Sequence, residues 1–164
     1  MSFSTVLSNL TTGQVGKLAT PIEPFNSARS YTLTSAQSDL KPGYGVVLDG
    51  DTVDLPSDAN GIFAGVVFND GSLVIESAAF SGQAGGNPNV PVLFHNGAVF
   101  VATSQATTPT DPVYLQFTAG IGAVGTFRKD ADTSGSARAV LLTGCRWDVS
   151  MDSGIGCLVV NLPK

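Results

Sequence analysis

The stretch Val90-Pro91-Val92-Leu93-Phe94-His95-Asn96-Gly97-Ala98-Val99-Phe100-Val101 sets two apolar runs on either side of Asn96-Gly97. Val, Leu and Phe suit a pleated, half-buried surface. Asn-Gly accepts the positive φ angles of a type I′ turn. The stretch therefore predicts two β-strands joined as a hairpin.

The same grammar runs outward in both directions. Asn69-Asp70-Gly71, between Phe68 and Leu73, predicts a second hairpin with a longer loop. Lys41-Pro42-Gly43 and Asp49-Gly50-Asp51 predict tight turns. Strands are expected at Tyr44–Asp49, Ile62–Asn69, Ser72–Ser77, Val90–His95, Ala98–Thr103, Pro112–Phe117, Gly122–Arg128, Arg138–Leu142, Cys145–Val149 and Gly156–Leu162. No long helix is expected, and Leu33–Leu40 carries a helical turn at most. With 19 glycines and nine prolines spacing turns about every 10 residues, the pattern is that of an all-β sandwich or barrel. The start differs. Residues 1–30 show no strand partner nearby, yet Phe3, Val6, Leu7 and Leu10 have helical spacing, followed by Val15 and Leu18. An extended N-terminal arm (1–30) is expected to lay these six side chains on a neighbour, ahead of a body at 31–164.

Composition narrows the function. Of 164 residues, 43% are hydrophobic and 13% charged, against about 25% charged in an average domain. Charge keeps a lone protein soluble, so a surface this poor in it is expected to be covered by copies of itself or by a large partner. The net charge is -5, with only eight Lys and Arg. Nucleic acid needs many cations to displace phosphate counterions, and an anionic membrane surface also attracts basic proteins. Neither is an expected partner. No apolar run reaches the roughly 18 residues of a membrane span, and no leader pattern opens the chain. Synthesis in a reducing cytosol is therefore expected, with Cys145 and Cys157 as buried free thiols. They would pair only if neighbouring strands bring them to disulfide distance. The sequon Asn9-Leu10-Thr11 carries no meaning without secretion.

Candidate chemistry is sparse. His95 is the only histidine and reads as an exposed residue on a hairpin shoulder. Cys145 and Cys157 lack the close pair of a zinc ribbon. Asp49, Asp51, Asp54 and Asp58 echo calcium-loop spacing, but Val53 and Asn60 stand where ligands are needed. They read as a solvated turn, and Arg128-Lys129-Asp130-Ala131-Asp132 reads as a charged loop. Gln83-Ala84-Gly85-Gly86-Asn87 has no lysine and opens no helix, so it cradles no phosphate. Glu23 and Glu76 are the only glutamates, and neither has neighbours that would tune it for acid–base work. A small β-rich nucleotidase does not fit the strand-like ending Cys157–Leu162. Trp147 beside Arg146 invites a sugar-binding or cation–π role, but its alternating neighbours place it in the core. No catalytic residue, metal or cofactor is assigned.

Ordered motifs then point to a family. Val90-Pro91-Val92-Leu93, Gly97–Val101 and Thr108-Pro109-Thr110-Asp111-Pro112-Val113-Tyr114 resemble the "VPVL … G-x-(V/I)-(W/F)-V … V-x-P-G-D-P-V-Y" stretch of phage structural cement proteins. Gly125–Asp132 resembles that family's "G-x-F-R-x-D-A-D". Gly144-Cys145-Arg146-Trp147 and Gly156–Leu162 resemble its closing motifs, and Thr12–Ala19 its opening one. Thr110 replaces a glycine, Cys145 replaces an alanine-like residue, and the loop 78–88 is individual. The resemblance implies a β-sandwich or jelly-roll-like body that sits on the outer capsid surface of the virion. There it would clamp copies of the phage major capsid protein as a homo-oligomer, trimer or dimer. Burial at about 25 cal/mol per Å² would make even a few hundred Å² of arm contact worth several kcal/mol per copy, less the ordering entropy. The competing expectation is a carbohydrate-binding β-sandwich module of a phage tail or surface adhesin.

Overall fold

The computed structural model describes residues 14–19, 28–34, 39–69, 89–133 and 136–163. Eleven strands occupy these residues, with no helix among them: β1 (Ala28–Thr32), β2 (Gly45–Asp49), β3 (Thr52–Asp54), β4 (Phe63–Val67), β5 (Asn89–Leu93), β6 (Gly97–Thr103), β7 (Tyr114–Gln116), β8 (Phe127–Arg128), β9 (Ala139–Leu141), β10 (Cys145–Trp147) and β11 (Gly154–Val160). They form two sheets. One has the order β1-β5-β4-β2-β3 and the other β10-β11-β6-β8-β7-β9. The all-β sandwich expected from the sequence is the fold observed.

Alternation along the strands builds the layers. On β2, Val46 and Val47 point to opposite faces, and both are buried. Val47, Val66 and Leu93 meet Val99, Val101, Leu115, Phe127, Trp147, Leu158 and Val160 of the other sheet in the central core. Phe63 and Phe127 touch edge to face across it, with centroids 6.2 Å apart, a favoured aromatic geometry. The opposite face of the five-stranded sheet holds Leu33, Leu40, Val46, Val53, Ala64, Val67, Val90 and Val92. That sheet curls around this second core until its edges meet. Leu33, directly after β1, bridges Val53 of β3 in parallel, and the Thr34 N–H donates to the Val53 carbonyl at 3.0 Å. The unit is a small closed barrel docked on a larger sheet. Gly65 permits its tightest corner: it takes φ +139°, and a Cβ there would lie 2.3 Å from the Leu93 carbonyl oxygen.

Three expectations need correction. Residues 92–101 are not a hairpin. β5 already has β4 and β1 on its two edges, so β6 has nowhere to pair. Asn96 takes φ +49° but Gly97 does not take a positive φ, so the type I′ turn, which needs both, does not form. Phe94-His95-Asn96 instead carries the chain from one sheet to the other. Second, residues 28–30, grouped with the arm, are the first half of β1, antiparallel to β5. Third, the strand expected at Gly122–Arg128 shrinks to Phe127–Arg128, because the N–H groups of Gly120 and Thr126 donate within a folded loop, to the Gly122 and Ala123 carbonyls. The expected strand Ser72–Ser77 and hairpin loop at Asp70-Gly71 lie outside the described residues, as do residues 35–38, the middle of the helical turn expected in Leu33–Leu40.

Candidate interaction surface

Among the described residues, four large apolar side chains are exposed: Leu48 (37%), Ile62 (69%), Ile121 (68%) and Leu141 (52%). Three of them line one groove of about 430 Å³, together with Phe63, Phe94 and Leu162. The groove lies where the barrel abuts the larger sheet. Leu48 comes from the turn-proximal end of β2, Ile62 directly precedes β4, and Leu141 comes from the edge strand β9. Its one charged lining residue, Arg29, is exposed and holds its guanidinium 4.8 Å from the Phe94 ring centre, a cation–π contact. His95 helps fix this end of the fold. It is half-buried, not an exposed shoulder, and its Nδ1 lies 2.7 Å from the Leu162 carbonyl. The sequence carried a signal for part of this surface. In Leu141-Leu142, strand alternation forces one side chain out if the other enters the core, and Leu142 is the buried one. Nothing in the sequence marked Ile62 as exposed.

Residues 14–19 lie on the chain's own body. Gln14–Lys17 is a turn closed by the Lys17 N–H donating to the Gln14 carbonyl at 2.9 Å, and residues 16–19 then run antiparallel to β6: the Gly16 N–H donates to the Phe100 carbonyl at 2.7 Å, and the Ala19 N–H donates to the Ala98 carbonyl at 2.8 Å. Leu18 bridges Val99 and packs against the central core, while Val15 stands against Gly43. Gly16 takes φ +83°, and a Cβ there would come within 2.2 Å of Pro42, so only glycine fits this close approach. Phe3, Val6, Leu7 and Leu10 lie outside the described residues, as do Asn9, Glu23, Glu76 and the segment Gln83–Asn87.

The loop Arg128–Asp132 is not a solvated charged loop. Arg128 is 2% exposed. Its Nη2 and Nε donate to Asp130 Oδ1 at 2.6 and 3.1 Å, and its Nη1 lies 4.0 Å from the buried Asp132 carboxylate. Gln116 Nε2 donates to Asp132 Oδ2 at 3.1 Å, and Gln105 Nε2 donates to Asp130. The network ties the ends of β7 (Gln116) and β8 (Arg128) to the loops that carry Gln105 and Asp130–Asp132, beside the tip that carries Ile121. Partial burial raises the Asp130 carboxyl pKa, but the bonds from Arg128, Gln105 and the Asp132 N–H, with the Arg128 charge, outweigh it and leave it lowered. A lowered folded pKa adds stability that is complete above the ordinary carboxylate value and disappears as pH falls through the folded one. Below about pH 4, the native chain should therefore lose stability more steeply than Asp130→Asn in urea titrations. Equal acid slopes would contradict the pairing.

The remaining candidates hold no chemistry. Trp147 is fully buried, which removes the residue on which a sugar shelf would depend, and its Nε1–H donates to the Pro112 carbonyl at 3.1 Å. Cys145 and Cys157 are free, and burial pushes each thiol up to about 12, so neither is a ready nucleophile at neutral pH. Asp49 and Asp51 flank the exposed β2–β3 turn. Asp54 and Asp58 accept from the Leu55 and Asn60 N–H groups, at 2.7 and 2.6 Å. Among the described residues, no three His, Cys, Asp or Glu gather as metal ligands.

Among the described residues, the apolar groove and the braced loop are the surface features that stand out. The family model for structural cement protein (E217 gp24/Pam3 gp6) matches residues 3–161. The chain belongs to the structural cement protein family. The cement protein also matches a chain in the solved structure "The capsid of Myoviridae Phage XM1", with a TM-score of 0.66, 18% sequence identity, and 98% of each chain covered. At that identity the likeness speaks to fold alone, and it covers both sheets. No match is found among curated proteins. The family places the cement protein in a phage capsid, and the resemblance seen in the ordered motifs from Thr12 to Leu162 is confirmed over nearly the same span.

Proposed function

We propose that this cement protein binds the outer surface of an assembled phage head as a homo-oligomer and ties major capsid subunits together, without catalysing a reaction. The observation that carries this is the family match from residue 3 to residue 161. The low charge and the apolar groove support it, because both belong to a surface that ends up covered. The arm side chains Phe3, Val6, Leu7 and Leu10 supply neighbour contacts, while Val15 and Leu18, expected to do the same, pack on the chain's own body and anchor the root of the arm. Free Cys145 and Cys157 suit synthesis in the reducing cytoplasm of a bacterial host.

The test uses expanded heads that lack the protein. The full chain should co-sediment with them and raise their resistance to heat. A chain lacking residues 1–13 should keep its own melting temperature within a few degrees yet lose about tenfold or more in head affinity, as truncation of interface anchors does. Full chain that stays in the supernatant would refute the reading. Equal loss of folding and affinity would refute the role of the arm.

A further inference from the structure

We propose that Asn60-Gly61 is a self-modifying site, where the native protein loses ammonia from the Asn60 side chain and gains a carboxylate. Part of the product carries the main chain through the side chain as an isoaspartyl link. The inference does not rest on the proposed function. It follows from where the fold leaves one backbone nitrogen.

The chain has two Asn-Gly pairs, Asn60-Gly61 and Asn96-Gly97. A glycine has no Cβ to shield its backbone nitrogen, so that nitrogen can reach the Cγ of a preceding asparagine. The fold treats the two pairs oppositely. Residues 57–62 are all exposed, in the connection from β3 to β4. Asp58 Oδ1 accepts from the Asn60 N–H at 2.6 Å, but among the described residues the Gly61 N–H donates to nothing. Gly97 is buried and opens β6. Ala98 and Phe100 turn their backbone groups to the leading segment, bonding Gly16, Lys17 and Ala19. Alternation along the strand therefore turns the Gly97 N–H the other way, to its register partner Val160 of β11. Swinging the Asn96-Gly97 peptide into a ring would break the first rung of that ladder. Swinging the Asn60-Gly61 peptide breaks no bond of the attacking nitrogen.

The reaction needs only water. The Gly61 nitrogen gives its proton to water or hydroxide and attacks Asn60 Cγ. A new N–Cγ bond forms, the Cγ–Nδ2 bond breaks, and Nδ2 leaves as ammonia with a proton taken from water. The five-membered imide then takes up one water. Opening at the side-chain carbonyl gives an aspartyl residue at position 60, and opening at the main-chain carbonyl gives the isoaspartyl link. Nothing is oxidised or reduced. Asn60 lines a surface hollow with Asp49, Asp54 and Asp58, and Gly61 also borders the apolar groove beside Ile62. The product therefore adds a negative charge to an already acidic rim, and the isoaspartyl form lengthens the main chain by one carbon at the groove's edge.

Peptide mass mapping of the full chain tests the site. One sample is kept native in warm neutral buffer, and a second is kept unfolded in guanidinium until half of its Asn60 has converted. Chymotrypsin, cutting after Phe and Leu, places Asn60 and Asn96 in separate peptides. In the native sample, a gain of one mass unit with the paired peaks of an aspartyl and isoaspartyl mixture is expected at Asn60, about tenfold or more faster than at Asn96, because only Gly97 must first open out of a ladder. In guanidinium the two rates should converge, since neither N–H is then held. Asn60→Gln should abolish the product at position 60 and leave the rate at Asn96 unchanged. An Asn60 that stays intact in the native chain over that period would overturn the proposal, as would native rates that are equal or faster at Asn96. Rates that stay tenfold apart in guanidinium would overturn its structural basis, because the difference would then belong to the local sequence and not to the fold.

Discussion

Trp147→Ala is expected to destabilise the protein by about 3–5 kcal/mol, corresponding to a fall in melting temperature of roughly 10 °C for a chain of this size. Trp147 is fully buried at the centre of the core between the two sheets. It bears on β11, the one strand that β10 pairs with. Across the register it faces Leu158, and its ring edge so closely covers Gly156 that a Cβ there would lie 2.5 Å from Cζ3. The indole also satisfies the Pro112 carbonyl, which removal would leave to whatever water enters the cavity. Trp147→Phe separates the two effects. It retains most of the ring and loses the donor, so about 1–2 kcal/mol is expected. Urea unfolding followed by circular dichroism reads both, since the variants lack the native fluorophore. A loss below 1 kcal/mol for the alanine variant would mean that the two sheets do not meet around this residue.

Arg128→Met should cost about 3–5 kcal/mol, the usual penalty for breaking a buried ion pair from one side. The methionine fills most of the volume, so the loss is electrostatic. Asp130 is half open to solvent and tolerates losing its partner. Asp132 does not, being buried with Gln116 as its neutral donor. Adding Asp132→Asn should therefore restore part of the loss, giving a double variant more stable than the sum of the singles. Asparagine is the suitable replacement because Asp132 has φ +46°, a conformation that Asn accepts more readily than most residues. If Arg128→Met is tolerated within 1 kcal/mol, the loop is solvated after all and the brace beside Ile121 does not exist.

These two sites show what sequence patterns convey. Trp147 was placed in the core from its alternating neighbours, because period-2 alternation is a local property of a strand. Arg128-Lys129-Asp130-Ala131-Asp132 was misplaced because burial of a charge depends on partners distant in sequence, here Gln105 and Gln116. The same limit governs strand pairing. Asn96-Gly97 marks a reversal correctly, but only the occupancy of both β5 edges decides that the reversal changes sheets. β3 was hidden inside the acidic turn because Thr52-Val53-Asp54 is too short to show a period. The groove was least visible of all. Ile62 and Leu141 look like core residues in a linear reading, and only the three-dimensional junction of barrel and sheet exposes them.

Closure of the barrel through Leu33 and Val53 has a consequence for life on a crowded shell. Copies held side by side at high local density are where unpaired strand borders would zip into fibrous aggregates. The barrel offers no such border, and the outer strands of the larger sheet, β10 and β9, are three residues each, too short to template a growing ladder. The molecule can thus be packed densely against its own kind while its backbone stays indifferent to them, which leaves side chains alone to decide what adheres to what.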